Sequence, residues 1–414
     1  MPIISKFDGY LVKPEHVQNV VTPAYDAMLP SERREFAEEY PGNYVNVMRT
    51  LEEFPDSPPT LNKILDHNKY HFNQLMANGV FVKNPSPSYF LYRLRAGSHE
   101  QTGLIADIPV SDYVEGRLKK HEDTQVEKEN MLTRYQESVG ITSSPICVAY
   151  TDTAEISEAK QKVMSETPIL EFSAWDKVVQ TIWRVNDSEV EGQLQRSFEE
   201  IENTYLTDGH HRCASGVRFA QIARQRATSV KGSKADHMFV ALFPKSQLRI
   251  FSYFRCVRDL NGLGVSEFIG ALEFAGIRVE SRDLKDINQL LPKKAREVAM
   301  VVDQQAYSLH IPQEMVPEDD PSGSLDVSVL QERVLSPILG IRDARSDQRL
   351  NYTPGVEGFA GLIERCKKGW RVGFACVDTA IQQVIDVADA GQVMPPKSTW
   401  FDPKLRAGIF VRYC

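Results

Sequence analysis

The chain has no two cysteines close enough in sequence to share a metal. Its six cysteines, Cys147, Cys213, Cys256, Cys366, Cys376 and Cys414, are scattered without a CxxC spacing. That pattern favours reduced thiols over a disulfide scaffold or a thiolate metal site. No run approaches the roughly 20 apolar residues of a membrane-spanning helix. The opening MPIISKFDGY lacks the basic start and apolar core of a secretory signal, so a soluble, cytoplasmic protein is expected. Also missing are the Gly-x-x-x-x-Gly-Lys frame of a Walker A loop, a GxGxxG dinucleotide fingerprint and a GxSxG nucleophile elbow. There is no internal repeat and no low-complexity tract. A net charge of −8 argues against an extended nucleic-acid-binding face, though it leaves room for a local basic pocket.

What is present is ordinary globular composition, with 414 residues of which 42% are hydrophobic and 25% charged. That length suffices for two or three domains with a substantial core. Apolar positions alternate between helical and extended periods, which predicts a mixed α/β chain. Thr60 is placed to cap a helix whose inward face carries Leu61, Ile64, Leu65, Phe72, Leu75 and Met76. Residues 89–94 and 103–110 read as paired strands, 123–139 as a charged helix and 145–150 as a strand. Residues 238–243 and 248–251 look like a hairpin around Pro244-Lys245-Ser246. A short helix is expected over 265–274, a strand over 299–302 and a helix over 326–339. The Pro- and Asp-rich stretch 315–323 is a loop. The expected division is residues 1–250 and 251–414.

The most informative stretch is Thr207-Asp208-Gly209-His210-His211-Arg212. Thr204-Tyr205-Leu206 before it reads as a strand end. Cys213, Val217, Ala220, Ala223 and Ala227 after it form a helical stripe. Asp208 is then a helix cap, and Gly209 lets backbone approach a ligand. A helix start offers unpaired N–H groups and a positive dipole, so it attracts phosphate, and Arg212 adds a forked donor. Zinc is a weaker reading, because adjacent histidines diverge on a helix and no further Cys or His cluster completes a tetrahedral site.

Three other stretches carry reactive side chains. In Lys119-Lys120-His121-Glu122-Asp123-Thr124, Asp123 or Thr124 can cap the next helix, and His121 or Glu122 can accept a proton from a hydroxyl nucleophile. In Val21-Thr22-Pro23-Ala24-Tyr25-Asp26, Pro23 fixes an extended approach and Asp26 can cap a turn from Ala27 onward. Near the other end, Met394-Pro395-Pro396-Lys397-Ser398-Thr399-Trp400-Phe401-Asp402-Pro403-Lys404 offers lysines and hydroxyls to an anion.

Together these four motifs resemble a widespread bacterial family of conserved hypothetical proteins. Its signature is a Val-Pro-Pro-Tyr-Asp turn, an HExT segment, an Ala-Asp-Gly-His-His-Arg core and a terminal Pro-Pro-Lys-Ser-Thr loop, in that order. Here Thr207 stands for the usual Ala and Ala24 for the second Pro, and neither change removes a functional group. More remotely, the Asp-Gly-His-x-Arg core is similar to the signature of the ParB-like and sulfiredoxin-like superfamily, whose enzymes include free-serine kinases.

The resemblance implies a ParB-like nucleotide-binding core in residues 1–250, with 251–414 as an α/β region closing over the site. It implies a phosphotransferase making O-phospho-L-serine from L-serine, with ATP, ADP or pyrophosphate as donor and Mg²⁺ as cofactor. In that scheme Gly209, His210, His211, Arg212, Lys397, Ser398 and Thr399 hold phosphate. Glu122, Asp208 and His121 are catalytic, Asp208 also holds the metal, and Tyr25, Asp26 and Thr124 hold substrate. A homodimer is compatible with it; a membrane or nucleic-acid partner is not expected. Two rivals remain open, a ParB-like nucleotide-dependent switch and a phosphohydrolase or nuclease using the same phosphate box.

Overall fold

A computed structural model describes residues 3–226 and 233–414; Ala227, the end of the expected helical stripe, lies outside the described residues. The chain is mixed α and β, as its periodicities predict. It divides into two compact units, Met1–Leu248 with Pro403–Cys414, and Arg249–Asp402.

The first unit is built on an eight-stranded mixed sheet. In spatial order its strands are Leu118–Lys119, Thr204–Asp208, Ile146–Tyr150, His237–Pro244, His99–Pro109, Phe90–Ala96, Val179–Arg184 and Leu170–Ser173. Successive residues of a strand face opposite sides, and here both sides are apolar. Phe239, Ala241 and Phe243 belong to one buried cluster, while Met238, Val240 and Leu242 belong to another. The second cluster takes in the helices Ala154–Met164, Ser188–Glu199 and His210–Gln225 through Ile156, Leu194 and Cys213. The first takes in the helix Leu61–Ala77 through Leu65, Phe72 and Leu75. Each fully buried Leu or Phe contributes roughly 1.5–3 kcal/mol of transfer free energy. Thr60 caps the Leu61–Ala77 helix as expected, its hydroxyl accepting from the Lys63 N–H.

A four-stranded sheet of Phe81–Lys83, Tyr10–Val12, Phe410–Tyr413 and Ile141–Thr142 ties the last segment into this unit. Thr22 reinforces the tie, because its backbone N–H donates to Ala407 O at 3.1 Å and its hydroxyl accepts from Ala407 N at 3.3 Å.

The second unit holds a six-stranded antiparallel sheet. Its helix Gly358–Lys367 buries Phe359, Leu362 and Ile363 against Phe254, Cys256, Ala299 and Ala375. The expected hairpin from 238–243 to 248–251 is not formed. Arg249–Phe251 pairs instead with Trp400–Asp402, and His237–Pro244 is flanked by His99–Pro109 and Ile146–Tyr150. The helix expected over 326–339 is regular only for Asp326–Leu330 and then widens into a π-turn at Gln331–Leu335. Pro337 comes next, and its missing N–H prevents a regular α-helical continuation. Among the described residues no helix is long and apolar enough to cross a membrane.

Candidate anion and metal site at the ends of two parallel strands

Leu118–Lys119 and Thr204–Asp208 run parallel, with Thr204 opposite Leu118 and Tyr205 opposite Lys119. Both therefore leave the sheet in the same direction, one into His121 and Glu122, the other into the Asp208–Arg212 stretch. Carboxyl ends of adjacent strands are where α/β sheets form ligand crevices.

The second exit is a tight strand-to-helix turn. Gly209 sits at the N-cap with φ 95°, and the helix His210–Gln225 begins directly after it. This corrects the expectation that Asp208 caps the helix. Asp208 is the last residue of the strand, and no side chain caps the helix start. Positive φ is what glycine supplies, and a Cβ at this position would lie 3.1 Å from the Arg212 guanidinium. Thr207 donates its hydroxyl to Cys147 O at 3.0 Å, across a register shift in that strand pair.

Asp208 lies between two cations. Its Oδ1 accepts from Lys404 Nζ at 2.8 Å and its Oδ2 from Arg212 Nη2 at 2.9 Å. Burial pushes this carboxyl up, but Lys404 and Arg212 outweigh it and hold the group well below the usual carboxylate range. Arg212 is itself engaged, since Nη1 donates to Ser144 O at 3.0 Å, Ser144 Oγ at 2.6 Å and Pro145 O at 2.7 Å. Its fork thus clamps the 144–145 loop and Asp208 to the helix start. Asp208, expected to hold Mg²⁺, has a cation on each oxygen.

Beside this turn stand two histidines far apart in sequence. The rings of His121 and His210 meet edge to face, with centroids 4.6 Å apart. Burial is the main reason both are poor bases. It pushes His121 down to about 4 and His210 well below its ordinary value, with each neighbouring imidazole adding to the His210 shift. Glu122 Oε2 stands 3.9 Å from His210 Nδ1, and the Glu122 side chain is 41% exposed against 5% for His210. One ligand atom from each of His121, Glu122 and His210 lies within 4.8 Å of the others. The pair that bears on metal binding is therefore His121 with His210, rather than the adjacent His210 and His211.

His211 turns elsewhere, its Nε2 accepting from the Gln125 N–H at 3.1 Å. That contact ties the two exits together. The helix after His121 starts at Val126, later than the expected 123, with Gln125 at its cap position and no side-chain cap. Thr124 Oγ1 hydrogen-bonds Glu129 Oε1 instead.

The remaining expected residues are spread over both units. Tyr25 donates to Met48 O at 2.8 Å, lies under the Arg33 guanidinium, and lines an apolar cavity of about 160 Å³ whose walls include Ser144 and Arg212. Asp26 shares the 3₁₀ turn Tyr25–Ala27. Lys397, Ser398 and Thr399 belong to the second unit. There Lys397 lies over the Tyr253 ring and the buried Ser398 donates to Pro395 O at 2.7 Å. One neighbour of the site, Ser144, has no pattern in the sequence that marks it out. Lys404 closes the Pro- and Lys-rich stretch, and only the fold assigns it to the first unit.

A family model described as "Protein of unknown function (DUF1015)" matches residues 4–328. No curated protein matches the chain. Among solved structures, a conserved hypothetical protein from Pyrococcus furiosus is similar at 12% identity and a TM-score of 0.36, covering 74% of this chain and 95% of that one. A free serine kinase in complex with AMP is similar at 12% identity and a TM-score of 0.33, covering 74% of this chain and 91% of that one. SbnI from Staphylococcus aureus, truncated at its C-terminus, is similar at 11% identity and a TM-score of 0.36, covering 72% of this chain and 82% of that one.

Proposed function

We infer, for a chain that belongs to the DUF1015 family of unknown function, that it is a small-molecule phosphotransferase acting on free L-serine. The observation that carries this reading is the helix start at His210, entered through a left-handed glycine, without a side-chain cap, and flanked by Lys404 and Arg212. Uncapped N–H groups and a positive dipole beside two cations suit the phosphates of ATP, ADP or pyrophosphate.

Phosphoryl transfer is mainly positioning and charge neutralisation. The Gly209–Arg212 backbone holds the donor phosphates, and a Mg²⁺ bound with them would neutralise their charge. Asp208 would be the residue to hold that metal, provided Lys404 or Arg212 released it to turn toward a phosphate oxygen. Glu122, half-exposed at the mouth of the site, takes the proton of the serine hydroxyl as its oxygen bonds to phosphorus and the donor's bridging oxygen leaves. Asp208 has cations on both oxygens and His121 is buried, so the half-exposed Glu122 is the better placed base.

The test is a phosphorus NMR assay with each donor, with and without serine. A phosphomonoester signal that needs serine supports the reading. Inorganic phosphate released equally without serine means a phosphohydrolase, and nucleotide bound but not consumed means a switch.

A further inference from the structure

We propose that His121, Glu122 and His210 form a binding site for a divalent transition-metal ion of the manganese-to-zinc series. Among the described residues no other trio of His, Cys, Asp and Glu is gathered so closely, with ligand atoms within 4.8 Å of one another. Two ligands each about 2.1 Å from one ion stand roughly 3.4 Å apart at a tetrahedral angle. His210 Nδ1 and Glu122 Oε2, at 3.9 Å, are a small rotation from that separation, and the half-exposed Glu122 side chain has room to make it.

A second observation points to a ligand. His210 is 5% exposed, its Nε2 is buried without a hydrogen-bond partner among the described residues, and the 3.9 Å from Nδ1 to Glu122 is too long for a hydrogen bond. A buried imidazole nitrogen without a partner is a standing cost, and such groups call for an explanation. His121 lies edge to face against His210 and brings the second imidazole to the same point.

Two imidazoles and one carboxylate select transition metals over Mg²⁺, which asks for oxygen ligands in an octahedron. Three protein ligands leave positions open for water or a substrate oxygen. The inference needs only that the trio hold a metal and does not rest on the phosphotransferase reading. The two are compatible, because Glu122 bound through one oxygen keeps the other for an acceptor hydroxyl. The competing pair is His67 and His71, with ring centroids 4.3 Å apart on the Leu61–Ala77 helix, which lacks a third ligand among the described residues.

The experiment is a titration of metal-stripped full-length protein with Co²⁺, read by its visible absorption, with no nucleotide or serine present. The expected result is one Co²⁺ per chain, unmoved by excess Mg²⁺ and displaced by Zn²⁺. Glu122→Ala should weaken binding by more than about 100-fold, beyond the range for losing an outer-shell partner. His71→Ala should leave it unchanged. Because Glu122 is half-exposed, its variant keeps the fold where a His210 variant need not, and a melting curve checks this. The proposal is overturned by no saturable Co²⁺ binding, or by binding that survives Glu122→Ala or disappears in His71→Ala. A chain that binds Co²⁺ as expected but leaves serine unphosphorylated keeps the metal site and loses only the phosphotransferase reading.

Discussion

Lys404 Nζ lies 2.8 Å from Asp208 Oδ1, although the two residues are 196 positions apart. The C-terminal return of the chain thus supplies a cation to the strand end on which the helix start is built. Removing it leaves a mostly buried carboxylate with Arg212 alone. Lys404→Ala should lower stability by about 1–3 kcal/mol, the range for stranding one partner of a buried polar contact. It should also weaken donor binding, whereas Lys404→Arg should largely restore both. Melting curves and donor titrations on the two variants check this. Wild-type behaviour of Lys404→Ala would mean the contact contributes neither.

Gly209 adopts φ 95°, and a Cβ there would press on the Arg212 guanidinium at 3.1 Å. Gly209→Ala should therefore cost about 1–2 kcal/mol from the left-handed backbone alone. It should weaken donor binding more than Thr207→Ala, which loses only a hydrogen bond to Cys147 O. Calorimetric binding of ADP or pyrophosphate to both variants compares them, and equal affinities would count against close backbone approach.

Gly209 and Lys404 also mark the limit of what the sequence shows. Gly209 and the strand-to-helix change around it are legible, because the period shifts from extended to helical across six residues. The pairing of His121 with His210 is not, since it depends on a parallel strand of only two residues, Leu118–Lys119, with no periodicity to detect. Lys404 is legible as one of two lysines in a stretch suited to an anion, but its pairing with Asp208 is not. The false hairpin after Pro244 has a similar cause. An apolar run, a short polar turn and a second apolar run look alike whether the second strand folds back or pairs with Trp400–Asp402. For Arg212 the sequence shows a guanidinium suited to phosphate and hides the Ser144 and Pro145 oxygens that occupy it.

Arg212 accordingly has a double prediction. Arg212→Ala should weaken transition-state stabilisation by about 2–4 kcal/mol. Lysine should rescue little, because one ammonium cannot span Asp208 and the 144–145 loop. Single-turnover rates of both variants decide. Full rescue by lysine would show that only charge matters there.

Glu122→Gln keeps the shape of a half-exposed side chain while removing its basicity. It should slow transfer to serine by roughly 10²–10⁴-fold with little change in melting temperature. A normal rate with reduced stability would instead assign Glu122 to holding the 120–125 segment in place.

Away from the site, Lys160 is buried and its ammonium donates to Thr102 O; burial pushes it down to about 8. In the unfolded chain this lysine stays protonated to about 10.5, so between the two values the unfolded state binds more protons. Stability should therefore rise with pH across that window by on the order of 3 kcal/mol from this group, and Lys160→Met should flatten the rise. Denaturant midpoints between pH 7 and 11 measure it, and a fall in both proteins alike would contradict the assignment.

The most direct measurement is the crystal structure of the protein soaked with pyrophosphate or ADP. The account predicts a phosphate oxygen within hydrogen-bond reach of the backbone N–H groups of residues 209–212, with Lys404 or Arg212 turned from Asp208 toward it. Phosphate bound elsewhere, with the Asp208–Lys404 and Asp208–Arg212 contacts intact, would contradict it.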